Sequence, residues 1–171
     1  VGRDVFINTL TGSNNTAVGL GSLQVVTSGG NNVAVGKDAG NDLTTGSVNT
    51  LIGDSAGALL TTSSSNVAVG FTAMSASLTG ATENVAIGRA AGNFINSSGN
   101  TAVGYFAMTA TTSGDNNTAV GYNTGLSVTT ASQCVLIGHS AGDAITTGGN
   151  NVVIGALAFS NGTTQTHNVV S

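Results

Sequence analysis

The sequence predicts an all-β fold, a parallel β-solenoid of about ten coils with 17 residues each. A motif such as NNTAVG, found at 14–19 and again at 116–121, recurs in phase along the chain. Each copy carries a short β-branched run, which is typical of a strand. Proline, whose missing N–H would interrupt a continuous hydrogen-bond ladder, does not occur. These three observations favour stacked strands, and each coil is called a rung below.

A glycine that ends each motif, the corner glycine, sets the period. Corner glycines lie 17 residues apart, except for one interval of 18 and one of 16 that cancel. They are Gly2, Gly19, Gly36, Gly53, Gly70, Gly88, Gly104, Gly121, Gly138 and Gly155. Residues 1–171 are therefore expected to form a single repeat domain of ten in-phase units. Because the chain begins at one corner glycine and stops just before the next expected one, we expect it to be a piece of a longer fibre.

Each unit should contribute one strand immediately before its corner glycine, which should have a positive φ or lie close to the next rung. A repeat of 17 residues is too short for a helical crossover, so the strands should stack in parallel about 4.8 Å apart. An asparagine lies four residues before most corner glycines, and asparagines one rung apart can hydrogen-bond along the axis. This ladder is expected at Asn15, Asn32, Asn49, Asn66, Asn84, Asn100, Asn117 and Asn151, with Cys134 filling one slot and Asn168 opening a further unit.

Two columns indicate how the interior is filled. The residue four after the corner glycine is either large or glycine, and every unit with glycine there has a branched aliphatic residue three positions later. The two positions are therefore expected to share one interior volume. The large residues are Phe6, Leu23, Met74, Met108 and Phe159; the glycines are Gly40, Gly57, Gly92, Gly125 and Gly142, and their partners are Leu43, Leu60, Ile95, Val128 and Ile145.

The strand positions suggest contact with another chain. The β-branched residues at the first and third strand positions are expected to face the solenoid's own core. The small residues between them would then face outward and allow close approach of a second chain. Those middle residues are Ala17, Ala34, Leu51, Ala68, Ala86, Ala102, Ala119, Leu136 and Val153.

The residue after the corner glycine varies most and contains all three basic residues, Arg3, Lys37 and Arg89. Burial of such charges is costly, so this column should be exposed. Within it an aromatic stripe is expected at Phe71, Arg89, Tyr105, Tyr122 and His139. Either these are neighbours that stabilise one another, together with a Lys37–Asp54 ion pair, or they contact a receptor by cation–π contacts and by stacking on sugars or peptides.

The NNTAVG, NVAVG, NVAIG and NNVVIG units resemble the head repeats of trimeric autotransporter adhesins and related repeats of bacteriophage tail fibres. The resemblance covers essentially the whole chain. It implies a left-handed β-roll in which three identical chains wind about a common axis on a bacterial surface or virion. The 17-residue unit is longer than the usual one of the adhesin heads.

Composition excludes several classes of function. A net charge of -4 with three basic residues disfavours nucleic-acid binding, and no apolar run is long enough for a membrane span. His139 and His167 lie in different columns without cysteine partners, so no metal site or other cofactor is expected. The GHSAG segment at 138–142 is in phase with GDSAG at 53–57 and is interpreted as repeat sequence rather than a nucleophile motif.

The sequence therefore predicts no catalytic residues and no enzyme. It favours a structural or adhesive fibre segment that lies outside the cell and contacts itself and a host glycan or protein receptor. Alternatives are a filament that stacks end to end and an ice-binding solenoid. The adjacent threonines of Thr44–Thr45, Thr61–Thr62 and Thr146–Thr147 disfavour the latter, because neighbouring residues cannot share one strand face. A polysaccharide-cleaving β-helix would need acidic residues clustered in a groove, but the seven acidic residues of this sequence are scattered.

Overall fold

The structure is a computed structural model that describes residues 2–4, 11–77, 80–166 and 169–170. Within these ranges the chain is all-β, without a helix, and ten short strands form one parallel sheet. The strands are β1 (Thr16–Val18), β2 (Val33–Val35), β3 (Thr50–Ile52), β4 (Val67–Val69), β5 (Val85–Ile87), β6 (Thr101–Val103), β7 (Thr118–Val120), β8 (Val135–Ile137), β9 (Val152–Ile154) and β10 (Val169–Val170). The predicted parallel β-solenoid is confirmed. Phe6, His167 and Asn168, which belong to the sequence predictions, lie outside the described residues.

The strands follow one another in the sheet in chain order, and each pairs with the next in the register that the repeat dictates. Ala17 of β1 is opposite Ala34 of β2, which is in turn opposite Leu51 of β3. The irregular intervals of 18 and 16 residues leave this register intact, since Val85 of β5 still pairs with Val67 and Thr101. The extra and missing residues are therefore absorbed in the corners between strands, where the chain tolerates changes in length.

The strand faces are opposite to the sequence prediction. The middle residue of β1 to β9 is buried, whereas the residues on either side of it are exposed or half-buried. Ala34 is fully buried, but Val35 retains 37% of its surface. The expectation that the β-branched residues fill the core and the small residues face outward was wrong. The interior is narrow, and the corners already supply large side chains to it, so a strand can add only a small one in most rungs.

The predicted shared interior volume is confirmed. Leu43, Leu60, Ile95, Val128 and Ile145 are fully buried, and so are Leu23, Met74 and Met108 from the units of the other kind. A Cβ placed on Gly92 would lie 2.7 Å from Cδ1 of Ile95, which is too close for a real side chain. Each rung that the structure describes thus holds one large side chain from this pair of positions, with Leu23 and Val26 the exception.

Two strand leucines complete this packing. A Cβ on Gly40 or on Gly57 would lie 2.7 Å from a methyl group of Leu51. Leu136 occupies the same place between Gly125 and Gly142, where a Cβ on either glycine would lie 2.8 Å from one of its methyl groups. These are the two places where consecutive units both have glycine at that position, so leucine appears in mid-strand where both flanking rungs leave room for it.

The asparagine ladder runs through the interior as expected. In a regular rung such as that of Asn66, the backbone N–H and the side-chain Nδ2 both donate to Oδ1 of Asn49, at 3.0 and 3.1 Å. Nδ2 also donates to the carbonyl of Ala81, at 2.8 Å. The ladder asparagines from Asn32 to Asn151 are buried. In a regular rung the amide therefore satisfies buried groups of three rungs, which fixes the stacking register. Asn100 is an irregular rung, because its Nδ2 donates to Oγ of Ser97 and to the carbonyl of Ser98 rather than to Asn84.

Cys134 interrupts the ladder as predicted. It is fully buried, and its backbone N–H still donates to Oδ1 of Asn117 at 2.9 Å. Its thiol replaces the missing amide only through weak hydrogen bonds: Sγ donates to the carbonyl of Gly148 at 3.6 Å and accepts from Nδ2 of Asn151 at 3.9 Å. That Nδ2 also donates to the carbonyls of Gly148 and Gln165.

Candidate functional site

The aromatic stripe is exposed because the corner glycines redirect the chain. From Gly19 to Gly155 their φ values lie between 131° and 143°, in a region that favours glycine. A Cβ at Gly36 would overlap the carbonyl oxygen of Gly53, so the position also requires close approach of two rungs. The following residue then points outward: Phe71 and Tyr122 retain 51% and 48% of their surfaces. The predicted exposure is confirmed for most of this column, whereas Asp54 and Tyr105 are half-buried.

The backbone beneath the stripe is held in register by one hydrogen bond per rung. The carbonyl of each stripe residue accepts the N–H of the residue two positions after the next corner glycine. Examples are Ala90 to Phe71 at 2.9 Å, Phe106 to Arg89 at 3.0 Å and Ser140 to Tyr122 at 2.8 Å. Neighbouring stripe side chains consequently emerge from equivalent points of successive rungs.

The stripe side chains form one continuous stack. The rings of Tyr105 and Tyr122 lie 5.0 Å apart and 3° from parallel. The ring of His139 continues this stack at 5.3 Å from Tyr122 and 4° from parallel. Phe106 supports it from the side, with its ring 4.3 Å from that of Tyr105 at 77°. Parallel rings at these separations cover one another's faces, and each such pair adds about 0.5–1.5 kcal/mol beyond burial.

Arg89 links the stack to Phe71. Its Cζ lies over the ring of Phe71 and over that of Tyr105, 5.6 Å from each centroid, so the cation has an aromatic ring on either side. Arg89 is exposed and takes part in neither of the two ion pairs found within the described ranges. The geometry brings together all five residues of the predicted stripe. Their mutual contacts match the stabilising interpretation, and receptor contact stays a prediction.

The predicted Lys37–Asp54 ion pair was wrong. Nζ of Lys37 pairs with Oδ2 of Asp38 at 2.8 Å, because Asp38 is adjacent in sequence and lies beside it on the same corner. This hydrogen bond and charge raise the pKa of Lys37 above its usual value, and the charge of Asp54 raises it further. The carboxylate of Asp54 accepts a hydrogen bond from the hydroxyl of Ser55 at 2.8 Å.

The outward strand face is a second candidate site. It was not predicted from the sequence, because the first and third residues of each strand were expected to point into the core. It consists of the first and third residues of β1 to β9. The third column is apolar throughout and much of it is exposed, with Val18 at 42%, Ile87 at 40% and Ile154 at 47%. The two columns are Thr16, Val33, Thr50, Val67, Val85, Thr101, Thr118, Val135 and Val152, and Val18, Val35, Ile52, Val69, Ile87, Val103, Val120, Ile137 and Ile154.

A threonine ladder on another corner was also missed. The hydroxyl of Thr44 donates to the carbonyl of Thr61 at 2.9 Å, and that of Thr129 donates to the carbonyl of Thr146 at 3.0 Å. The acceptor carbonyl also receives the backbone N–H of the donating threonine. The recurrence of threonine eight residues after the corner glycine was the signal for this ladder. These hydroxyls serve to join rungs, which limits what they offer to a ligand.

The other chemical candidates provide no site. Ser140 of the GHSAG segment is buried in a corner and repeats the geometry of the other rungs. Across the described ranges, no three His, Cys, Asp or Glu side chains are grouped so that they could hold a metal ion. The same ranges contain no helix with the length and apolar character required to cross a membrane. Comparisons with protein-family models, curated proteins and solved structures give no match to this chain.

Proposed function

We propose that this chain is a structural and adhesive segment of a fibre on a bacterial cell surface or virion, without enzymatic activity. Identical chains, three in number by resemblance to adhesin heads, associate through the outward strand face. The observation that carries the proposal is the combination of a regular solenoid with an outward strand face whose third column is apolar from β1 to β9. The aromatic stripe is then the part of the fibre that meets a receptor.

The outward strand face has the properties of an interface between copies. Its two columns run for nine rungs, a length of about 40 Å at the usual strand spacing. A monomeric protein seldom exposes so long a continuous apolar strip. A second copy is the occupant whose side chains have the same rung spacing, so its rows of valine and isoleucine can interdigitate along the whole length. Symmetric association of identical rods would remove this surface from water.

The mass of the native assembly tests this proposal. Sedimentation equilibrium should give three times the chain mass of 16.5 kDa. The variant Ile52→Asp/Ile87→Asp places two charges on the outward face and should sediment as a single chain. The control Thr45→Asp/Thr62→Asp places the same charges on exposed corners and should keep the assembly. A wild-type protein that stays monomeric at high concentration would contradict the proposal.

The adhesive role has its own test. Replacement of Phe71, Tyr105 and Tyr122 together by serine removes three rings of the stripe. Binding to the receptor-bearing surface should be lost while sedimentation still gives the assembled mass. Unchanged binding would remove the stripe from the contact and leave the fibre proposal standing.

An ice-binding solenoid is a second candidate, because a specific observation now favours it. The outward face presents threonine and β-branched apolar groups in a regular array, with about 4.8 Å between rungs and about 6.7 Å between columns. The objection from adjacent threonines concerns the corners and does not apply to this face. A monomer that shows thermal hysteresis, lost in Ile52→Asp/Ile87→Asp, would favour this candidate over the fibre.

A further inference from the structure

We infer that the aromatic stripe binds an acidic oligosaccharide, in which one carboxylate-bearing sugar pairs with Arg89 and neutral sugars extend across Tyr105 and Tyr122. The inference deepens the proposed receptor contact and rests on it. It names the chemical class of the ligand and gives each stripe residue a separate part in holding it.

The stacking geometry decides how a ligand can approach. Tyr105, Tyr122 and His139 lie within 3–4° of parallel at centroid separations of 5.0–5.3 Å, so the ring faces inside the stack are covered by neighbouring rings. A sugar cannot stack on those faces. What remains accessible is the edge of each ring, with the phenolic hydroxyls of the tyrosines and the ring nitrogens of the histidine. These groups donate and accept hydrogen bonds, which suits a ligand rich in hydroxyls.

Arg89 supplies the charge recognition. Its Cζ lies 5.6 Å from the centroid of each neighbouring ring, which limits the orientations of the group. The N–H donors of a guanidinium lie in one plane and form a fork. A carboxylate matches that planar fork with two parallel hydrogen bonds, whereas a neutral hydroxyl does not. No carboxylate among the described residues forms an ion pair with Arg89, so the fork is available to a ligand.

The spacing favours a sugar chain over a peptide. The stripe offers one polar group per rung, about every 4.8 Å. An extended peptide advances about 3.3 Å per residue and presents every second side chain to one side, so its groups fall out of step with the rungs. A linear chain of pyranose rings advances by about one ring per rung and carries hydroxyls on every ring. The single guanidinium followed by three polar ring edges matches one acidic sugar followed by neutral ones.

The protein contains its own reporter for this site. Tyr105 and Tyr122 are the only tyrosines, and there is no tryptophan, so the intrinsic fluorescence of the chain comes almost entirely from the stripe. Titration of the full chain with sialyllactose, a sialic acid followed by two neutral hexoses, should change this emission and saturate. Lactose and the methyl ester of sialyllactose lack the charge and should bind about tenfold more weakly or worse.

Variants separate the charge from the fold. Arg89→Gln should weaken sialyllactose binding by about tenfold or more, and Arg89→Lys, which keeps the charge but loses the fork, should fall between it and the wild type. The matched control is Lys37→Gln, which removes an exposed cation from the same column and should change affinity less than about twofold. Tyr122→Phe keeps the ring stack, removes one hydroxyl and should weaken binding by about threefold to tenfold without a change in melting temperature.

The possible outcomes distinguish failure of the oligosaccharide inference from failure of the fibre proposal. Equal binding of lactose and sialyllactose would overturn the role of the carboxylate while glycan contact by the stripe stands. A glutamate-containing peptide that binds as tightly as sialyllactose, with the same dependence on Arg89, would overturn the glycan in favour of an acidic peptide. If no sugar changes the fluorescence of a chain whose sedimentation shows the assembled mass, the inference fails and the fibre proposal does not.

Discussion

Gly92 and Ile95 divide one interior site between them: a Cβ on Gly92 would lie 2.7 Å from Cδ1 of Ile95. The same site in the preceding rung holds Met74 opposite Ser77, both fully buried. The pair of Gly92 and Ile95 and the pair of Met74 and Ser77 fill similar space, but the large side chain comes from the second position in one pair and from the first position in the other. The solenoid core is therefore specified rung by rung, by which of two positions carries the bulk.

Gly92→Met should destabilise the chain, because Ile95 already occupies the site. Overpacking typically lowers the free energy of unfolding by about 1–3 kcal/mol. The double variant Gly92→Met/Ile95→Ser recreates the pairing of Met74 with Ser77 and should recover the packing part of this loss. The cost of a positive φ at a residue with a side chain remains, as it does at Met74, where φ is 49°.

Urea denaturation followed by circular dichroism measures both variants. The double variant is the control, since it carries the same methionine without the competing isoleucine. If Gly92→Met alone is as stable as the wild type, the two positions do not share a volume.

The sequence was sufficient to predict the rung period, the asparagine ladder and the stripe, because each depends on one residue type repeated at one spacing. The sequence was insufficient to predict which face of each strand is buried. Alanine on one side and valine or isoleucine on the other are both compatible with burial, so alternation alone could not orient the strand. The deciding signal was present but subtle: Leu51 and Leu136 occur only where both flanking units have glycine four residues after the corner. A large mid-strand residue between two glycine-containing units makes sense only if that residue points into the core.

Other differences arise from local geometry that the repeat does not encode. The partner of Lys37 is Asp38 rather than Asp54, at 2.8 Å, because a sequence neighbour on the same corner is closer than the next rung. The hydrogen bonds from threonine hydroxyls to the next rung were not predicted, because the polar corners were interpreted only as turns. The contacts of the stripe were predictable in order, but the parallel orientation of its rings was not.

Leu51→Ala and Ile52→Ala test the orientation of the strands on adjacent residues. Leu51 is fully buried against Gly40 and Gly57, so its truncation should leave a cavity and cost about 2–5 kcal/mol. Ile52 retains 39% of its surface and should lose far less within one chain.

Denaturation at several protein concentrations separates the two effects. The loss at Leu51 should not depend on concentration, whereas any loss at Ile52 should come from weaker association and should vary with it. A larger, concentration-independent loss at Ile52 would mean that the faces are assigned the wrong way round.

Asn66→Ala should interrupt the asparagine ladder between Asn49 and Asn84. Oδ1 of Asn66 accepts hydrogen bonds from both the backbone N–H and the Nδ2 of Asn84, each at 3.1 Å. Alanine would leave the backbone N–H of Asn84 and the carbonyl of Ala81 without partners inside the core, and Nδ2 of Asn84 would keep only its bond to the carbonyl of Ser97. We expect a loss of about 2–4 kcal/mol, since an unpaired buried group costs about 1–3 kcal/mol.

The matched substitution Asn161→Ala lies at an exposed position and should change the melting temperature little. Thermal unfolding compares the two variants. If Asn66→Ala melts with the control, the ladder contributes no net stability and serves only to set the register of the rungs.

Cys134→Asn should supply the amide that this rung of the ladder lacks and raise stability by about 1–2 kcal/mol. The introduced Nδ2 would donate to Oδ1 of Asn117, and the introduced Oδ1 would accept the Nδ2 of Asn151, which now lies 3.9 Å from the sulfur. Cys134→Ser is the control, because it removes the thiol without supplying an amide and should be neutral or destabilising. Melting temperatures and urea midpoints should rank asparagine above the wild type and serine at or below it. If the asparagine variant melts lower, the slot in this rung is shaped for sulfur, and the ladder geometry of the other rungs does not carry over to it.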